Sequence, residues 1–305
     1  MTKESLNFIR GNDSEKLDFG KIPFNIATLD TMLEGGIPEK HFTIITGLWG
    51  AGKSYLAYKI AESVINSSGE DVYWIDTENS YQRQWAEACG IDTSKIQLLK
   101  ATSAEQAYEG VQYAIREKAP LVVLDSIANL VPTAILDEKF DHNPIGWLAR
   151  SLSANLPRLM SELTEHNRTT FVALNQVRQS ITPRTPDTLP GGRTQSFQAH
   201  LILQVRKGTI IKEGETSIGF EMTVRITKSK VGGIPNSSVM IPFKYEGGID
   251  EMEVMLIDAL EKGKITKKGS YYYYKDHTSH GKTGLRDFFV ENSELYEELK
   301  NELTT

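Results

Sequence analysis

The run Phe42-Thr-Ile-Ile-Thr-Gly47-Leu48-Trp49-Gly50-Ala51-Gly52-Lys53-Ser54-Tyr55 decides the fold. Its first part, Phe42–Ile45, is a nearly continuous apolar run, as in a strand buried on both faces. Its middle satisfies G-x-x-x-x-G-K-[ST], and a helical pattern follows over Lys53–Ser67. Glycines at 47, 50 and 52 let backbone N–H groups turn toward a triphosphate at the N-terminus of that helix. Lys53 would then reach the β- and γ-phosphates, and the Ser54 hydroxyl would ligand Mg²⁺. The segment Gly47–Tyr55 is therefore expected to cradle a nucleoside triphosphate.

Outward from this turn, the chain alternates. Asp71–Asp76, Pro120–Asp125 and Thr169–Leu174 join His41–Gly47 as strand candidates, separated by helical stretches at Ala104–Lys118 and roughly Ile145–His166. Strand–helix alternation of this kind predicts an α/β fold with a mainly parallel sheet flanked by helices. After residue 199 the rhythm changes: His200–Arg206, Glu221–Thr227 and Ser237–Phe243 read as strands with no helix between them, an antiparallel extension of the sheet. The expected organisation is a short N-terminal arm over 1–27, a core over 28–247, and a small α/β domain over 248–305 with its own helix at Glu251–Glu261.

Composition sets bounds on this reading. In 305 residues, 39% are hydrophobic and 24% charged, enough apolar content to build a core and to exclude general disorder. One cysteine, Cys89, excludes a disulfide framework and a thiolate zinc site, and points to a reducing, cytoplasmic setting. No apolar run approaches the ~18 residues of a spanning helix, and the N-terminus has no signal-peptide core. His277 and His280 form an H-x-x-H with only Asp276 beside them, which reads as a polar turn. The formal net charge of −6 argues weakly against nucleic acid, but it averages over patches.

A phosphate cradle needs a metal-orienting acid and a group to position water. Leu121-Val-Val-Leu-Asp125-Ser126 supplies an acid at a strand end, suited to Mg²⁺. Val72-Tyr-Trp-Ile-Asp76-Thr-Glu78 supplies two more, Glu78 as candidate for polarising the attacking water and Asp76 to act behind it. On spacing alone, Glu78 reads equally well as a solvated loop carboxylate.

Taken in order, the glycine turn, IDTEN, LVVLDSIANLVP, ALNQVR, PGGRTQSF and ITKSK resemble the RecA-type homologous-recombination ATPases, viral members included, from about Ile26 to the C-terminus. The resemblance implies that Glu78 activates the hydrolytic water and that Gln176 senses the γ-phosphate at the head of a DNA-binding loop. It puts Trp85 where the family stacks a tyrosine on adenine, with Gln82 replacing an acidic neighbour; a core tryptophan is the alternative. It also implies that Lys228 and Lys230 cross a subunit interface to act on the neighbour's ATP; without the family, they read as solvated. Phe197 falls at a subunit-coupling aromatic, with core packing as the other reading.

Two loops are expected to contact DNA. The first, Asp137–Gly146, contains Ile145 and leads into a helix carrying Arg150. The second, Val177–Ala199, carries Arg178, Arg184 and Arg193, with Gly191-Gly192 able to donate to phosphates, and shows no secondary-structure pattern. Its net charge is +2. Farther on, Lys262–Arg286 carries +6 interleaved with Tyr271–Tyr274, the composition of a duplex-capturing surface or of a solvated face, and an acidic run follows from Asp287. Two departures from the family stand out. The N-terminal helix is largely missing, so Ser5–Arg10 is expected to join a neighbour's sheet edge as an added strand, and the long acidic tail is absent. The compact length and the missing N-terminal helix point to a phage-encoded member.

These readings converge on an ATP-dependent recombinase with ATP and Mg²⁺ as cofactors. It would form a helical homo-oligomeric filament on single-stranded DNA and pair it with homologous duplex DNA, with single-strand-binding or loader proteins as further partners and no membrane. A non-catalytic mediator of the same family and a hexameric helicase of the same core are the alternatives.

Overall fold

The computed structural model describes residues 19–136, 146–178 and 188–304. Ile145, Arg184 and the Ser5–Arg10 segment lie outside the described residues, as does nearly all of the first loop.

The core is a nine-stranded mixed sheet. Its strands are β3 (Phe42–Gly47), β4 (Val72–Asp76), β5 (Ile96–Lys100), β6 (Leu121–Asp125), β7 (Thr170–Gln176), β8 (Leu201–Glu213), β9 (Thr216–Ser229), β10 (Ser238–Lys244) and β11 (Gly248–Ile249). A small hairpin-like pair, β1 (Lys21–Ile22) and β2 (Ile37–Pro38), precedes them. The spatial order is β11-β10-β9-β8-β3-β7-β6-β4-β5. From β8 to β5 every neighbouring pair is parallel, and β9, β10 and β11 extend the sheet antiparallel. The α/β class with a mainly parallel sheet is thus observed. The parallel strands all end on one edge, where ligands bind in open sheets of this kind.

The sheet is covered on both faces. One apolar layer holds α1 (Ala27–Met32), α2 (Lys53–Ser68) and α3 (Arg83–Ala88), with Trp74 buried against the Tyr58 ring at 4.7 Å. The other holds α4 (Ala104–Arg116) and α6 (Trp147–His166), with Phe42 stacked on Phe171 at 4.6 Å; the single turn α5 (Thr133–Leu136) lies between them in sequence. Helix α4 begins where the Ser103 hydroxyl accepts from the Gln106 N–H, which satisfies one of the amides a helix start leaves free. Cys89 is buried in the first layer, and burial pushes its thiol pKa up to about 11.

Several expectations are corrected. The arm does not extend to residue 27, because Phe24 and Ile26 are fully buried in the core. Strand β5 was not expected. Strands β8 and β9 run 13 and 14 residues, well beyond the expected His200–Arg206 and Glu221–Thr227, and form a long hairpin. The second loop is not free of structure: Thr194–Gln198 forms α7, and the Arg178 and Thr188 backbones exchange two hydrogen bonds.

After β11 a third apolar cluster forms around Leu256, Tyr272, Tyr274, Leu285, Phe289 and Leu299. It joins α8 (Glu251–Glu261), the three-stranded sheet β12 (Thr266–Lys268), β13 (Tyr271–Tyr274) and β14 (His277–His280), and helices α9 (Gly281–Glu291) and α10 (Ser293–Thr304). The boundary is stitched by Tyr55, whose hydroxyl accepts from the Ile249 N–H at 2.9 Å.

Candidate functional site

Helix α2 starts without a side-chain cap. Its N-cap is Gly52, at φ +97, and a Cβ there would strike Met222 on β9. The first-turn N–H groups are therefore left to a ligand, where they and the helix dipole favour an anion. Lys53 donates from Nζ to the Leu48 carbonyl of the same turn at 3.0 Å. Burial lowers its pKa, opposed by the charges of Asp125 and Glu78.

Strand register brings the remaining groups to this turn. Gly47 pairs with Gln176 across β3 and β7, and Asp76 pairs with Asp125 across β4 and β6. Ser54 Oγ donates to Asp125 Oδ2 at 3.1 Å. Burial, and next the charge of Glu78, push the Asp125 pKa up to about 7, against the Ser54 hydrogen bond and the charge of Lys53, which lower it. Glu78 Oε1 accepts two hydrogen bonds, from Ser126 Oγ at 2.5 Å and from Gln176 Nε2 at 2.9 Å. Asp76 is buried and accepts from the N–H groups of Glu78, Ser80 and Tyr81, so it shapes the loop that carries Glu78.

Lys53, Ser54, Glu78, Asp125 and Gln176 line a cleft of about 480 Å³ together with Trp49, Gly50, Gly52, Tyr55, Gln82 and Trp85. Leu48 and Ala51 complete the turn, with Ala51 buried and Leu48 at the surface. The far wall of the cleft holds Tyr58, Phe220, Phe243 and Tyr245. Tyr245 and Ser126 were not singled out from sequence. Tyr245 lies far along the chain from Trp85, and Ser126 was visible only as the neighbour of Asp125.

From Asn175, the residue before Gln176 on β7, a hydrogen-bonded chain runs into the second loop. Asn175 Nδ2 donates to Gln195 Oε1 at 2.7 Å and to the Pro190 carbonyl at 3.1 Å. Gln195, fully buried, donates onward to the carbonyls of Pro190 at 2.5 Å and Gly192 at 3.2 Å. Gln195 had no signal in sequence beyond its place in PGGRTQSF. Gly191 and Gly192 have φ of +91 and +72, and a Cβ on Gly191 would meet Leu152 and Gln195. Arg178 and Arg193 are exposed beside this chain, and Arg150 stacks its guanidinium over Trp147 at 5.2 Å.

Three expected residues lie elsewhere. Lys228 Nζ donates to the carbonyls of Ser196, Phe197 and Ala199, and Lys230 Nζ to that of Phe197, so both lysines cap the end of α7. Neither lines the cleft. Phe197 itself is 69% exposed, which excludes core packing within the subunit.

Comparison with known proteins resolves the family. The RecA N-terminal domain family matches residues 3–250. The chain belongs to the RecA family. It is 32% identical over 300 residues to Protein RecA of Tropheryma whipplei (strain Twist), covering 97% of this chain and 68% of that one. Protein RecA of Acidothermus cellulolyticus is 30% identical over 97% of this chain and 87% of its own, and that of Malacoplasma penetrans 30% over 95% and 88%. As a member of this family the chain is a nucleotide-binding ATPase. Among the described residues no helix is long and apolar enough to cross a membrane, and no His, Cys, Asp and Glu group is arranged for a metal.

The basic C-terminal segment is more neutral than its sequence count of +6. Lys262 pairs with Asp258, Lys264 with Glu302, Lys275 with Glu298, Lys282 with Glu253 and Arg286 with Asp250. The cations of the segment without such partners among the described residues are Lys267 and Lys268, on β12. His277 stacks on Phe288 and bonds Ser279, as a packed turn residue does.

Proposed function

We infer that the chain is an ATP-dependent DNA recombinase that assembles on single-stranded DNA and pairs it with homologous duplex. The observation that supports this is that two adjacent residues of β7 tie the cleft to the second loop: Gln176 bonds Glu78 in the cleft, and Asn175 bonds Gln195 at the root of the loop. A mediator that only binds ATP has no need of Glu78 in place, nor of a route from it to a DNA loop.

In this reading the uncapped start of α2 and Lys53 hold the β- and γ-phosphates, and Trp85 and Tyr245 flank the base. Ser54 and Asp125 would hold Mg²⁺, which when bound neutralises charge on the phosphate oxygens. The donor set fits: a hydroxyl and a carboxylate are in contact, and the carboxylate's raised pKa is what a cation would relieve. Both partners of Glu78 bond to Oε1, so Oε2 is left to accept from water and orient it for in-line attack. Gln176 is a neutral amide. It can exchange Glu78 for a phosphate oxygen with no change of charge and pull Asn175, Gln195 and the second loop with it. The loop's arginines and the Gly191-Gly192 amides then meet the DNA backbone, and Ile145, Arg150 and Arg184 are proposed as further contacts.

Lys228 and Lys230 are assigned to the neighbour's ATP. Strand register supports this: Lys230 bonds His200, which bonds Phe42, the end of β3 opposite Gly47. Five residues of strand separate Lys230 from its own cleft and three separate Lys228, about 16 and 10 Å at the usual rise per residue. A filament also needs a complementary edge, and β5 offers one that is unpaired among the described residues, with Leu98 and Leu99 partly exposed. Phe197 is proposed as an interface residue. A duplex-capture role for 248–305 rests on Lys267, Lys268 and the neighbouring tyrosines. Single-strand-binding or loader proteins and a cytoplasmic setting complete the proposal.

The test is ATP hydrolysis with and without single-stranded DNA, in wild type, Glu78→Gln, Lys53→Ala and the Lys228→Ala/Lys230→Ala double variant. DNA should stimulate the wild type alone. Mixing the Lys53→Ala and double-lysine proteins should restore hydrolysis, because each supplies the half-site the other lacks. Failure to restore would contradict the composite site.

A further inference from the structure

Of the four tryptophans, three are buried or half-buried, whereas Trp49 is 88% exposed. It stands in the glycine turn and lines the cleft beside Lys53, Glu78, Asp125 and Gln176. Gly50 follows it at φ +67, with no atom within 4 Å of where its Cβ would stand, so that side of the turn is open. A bare indole at the mouth of a polar cleft is a costly surface to leave in water, and rings of this type are typical of interfaces.

The charge pattern names the occupant. The cleft that Trp49 lines also holds the acids Glu78 and Asp125, which favour an incoming cation. On the same chain, Lys228 and Lys230 lie close together and share the Phe197 carbonyl; burial and mutual repulsion lower the Lys228 pKa. Resting on the reading that these lysines act in trans, we propose that Trp49 is the ring against which the neighbouring subunit's Lys228 or Lys230 stacks, a cation–π contact that positions that ammonium over the phosphates. An indole face attracts an ammonium. Unlike a carboxylate at this place, it does not form an ion pair that would compete with the phosphate for it. Trp49 is then a positioning residue, acting through the lysine.

The test uses the full chain with poly(dT) and either ATP or a slowly hydrolysed analogue. Trp49→Leu should lower kcat of DNA-stimulated hydrolysis about three- to tenfold with KM little changed, whereas Trp49→Phe keeps an aromatic face and most of the activity. The Trp49 emission, taken as wild type minus Trp49→Phe, should move to shorter wavelength on assembly with the analogue, and stay water-like in assembled Lys228→Ala/Lys230→Ala protein. Equal losses for Leu and Phe, no loss for Leu, or a shift that persists without the lysines would overturn the proposal. If the mixing experiment succeeds while Trp49 stays silent, the stacking alone is wrong. If mixing fails, the trans lysines and the stacking fall together.

Discussion

Replacing Gln195 by leucine isolates the link between ATP cleft and second loop. The two side chains are similar in volume, so the packing cost is small. What is lost is the amide, which accepts from Asn175 Nδ2 and donates to the Pro190 and Gly192 carbonyls. Asn175 retains only the Pro190 carbonyl at 3.1 Å, and its Oδ1 is already buried without a partner. Stranding one buried N–H and removing the donors to two carbonyls should destabilise the protein by about 2–4 kcal/mol, on typical costs for buried unsatisfied groups. Denaturant unfolding at constant slope would read this. ATP binding, measured with a fluorescent analogue, should persist because the α2 turn is untouched, while stimulation of hydrolysis by single-stranded DNA should largely disappear. A loss below about 0.5 kcal/mol, the range of ordinary surface changes, or full DNA stimulation in the variant, would refute the coupling path.

Gly191→Ala should lose about 1–3 kcal/mol, since φ +91 and the contact with Leu152 both oppose a Cβ, and DNA affinity should weaken with it. Tyr55→Phe removes the acceptor for the buried Ile249 N–H and should cost about 1–2 kcal/mol in unfolding measurements, with ATP hydrolysis retained. Burial, with His41 and the two lysines nearby, pulls the His200 pKa from its ordinary 6.5 to about 4. The unfolded chain therefore binds the extra proton more readily, and the contribution of His200 to stability is full above pH 6.5 and lost as pH falls toward 4. His200→Gln should flatten the stability profile across that window; an unchanged slope would rule His200 out as its source.

Much of the cleft was legible because its chemistry is local. The glycine turn, the strand-end acids Asp76 and Asp125, and Gln176 each follow a continuous apolar run, and such runs are what a two-sided buried strand requires. Strand β5 was missed because Ile96-Gln-Leu-Leu-Lys100 lies at an exposed edge, where the pattern of burial that marks a strand is weak. Gln195 and Tyr245 were missed for another reason: an uncharged amide and a lone aromatic acquire a role only through partners on other strands. The basic count over Lys262–Arg286 misled because five of its cations find acids on α8 and α10 or at Asp250, pairings that a sum along the chain cannot register. Lys228 and Lys230 were located by resemblance alone. Their hydrogen bonds within one subunit show why spacing said nothing: their distance from their own cleft, not their spacing, is what points to a neighbour.

The central claim is recombination driven by ATP, and strand exchange tests it most directly. With ATP, Mg²⁺, single-stranded DNA and a homologous duplex, the protein should form joint molecules that a heterologous duplex does not yield and that Lys53→Ala does not make. Strong DNA-stimulated hydrolysis without any homology-dependent pairing would contradict the account.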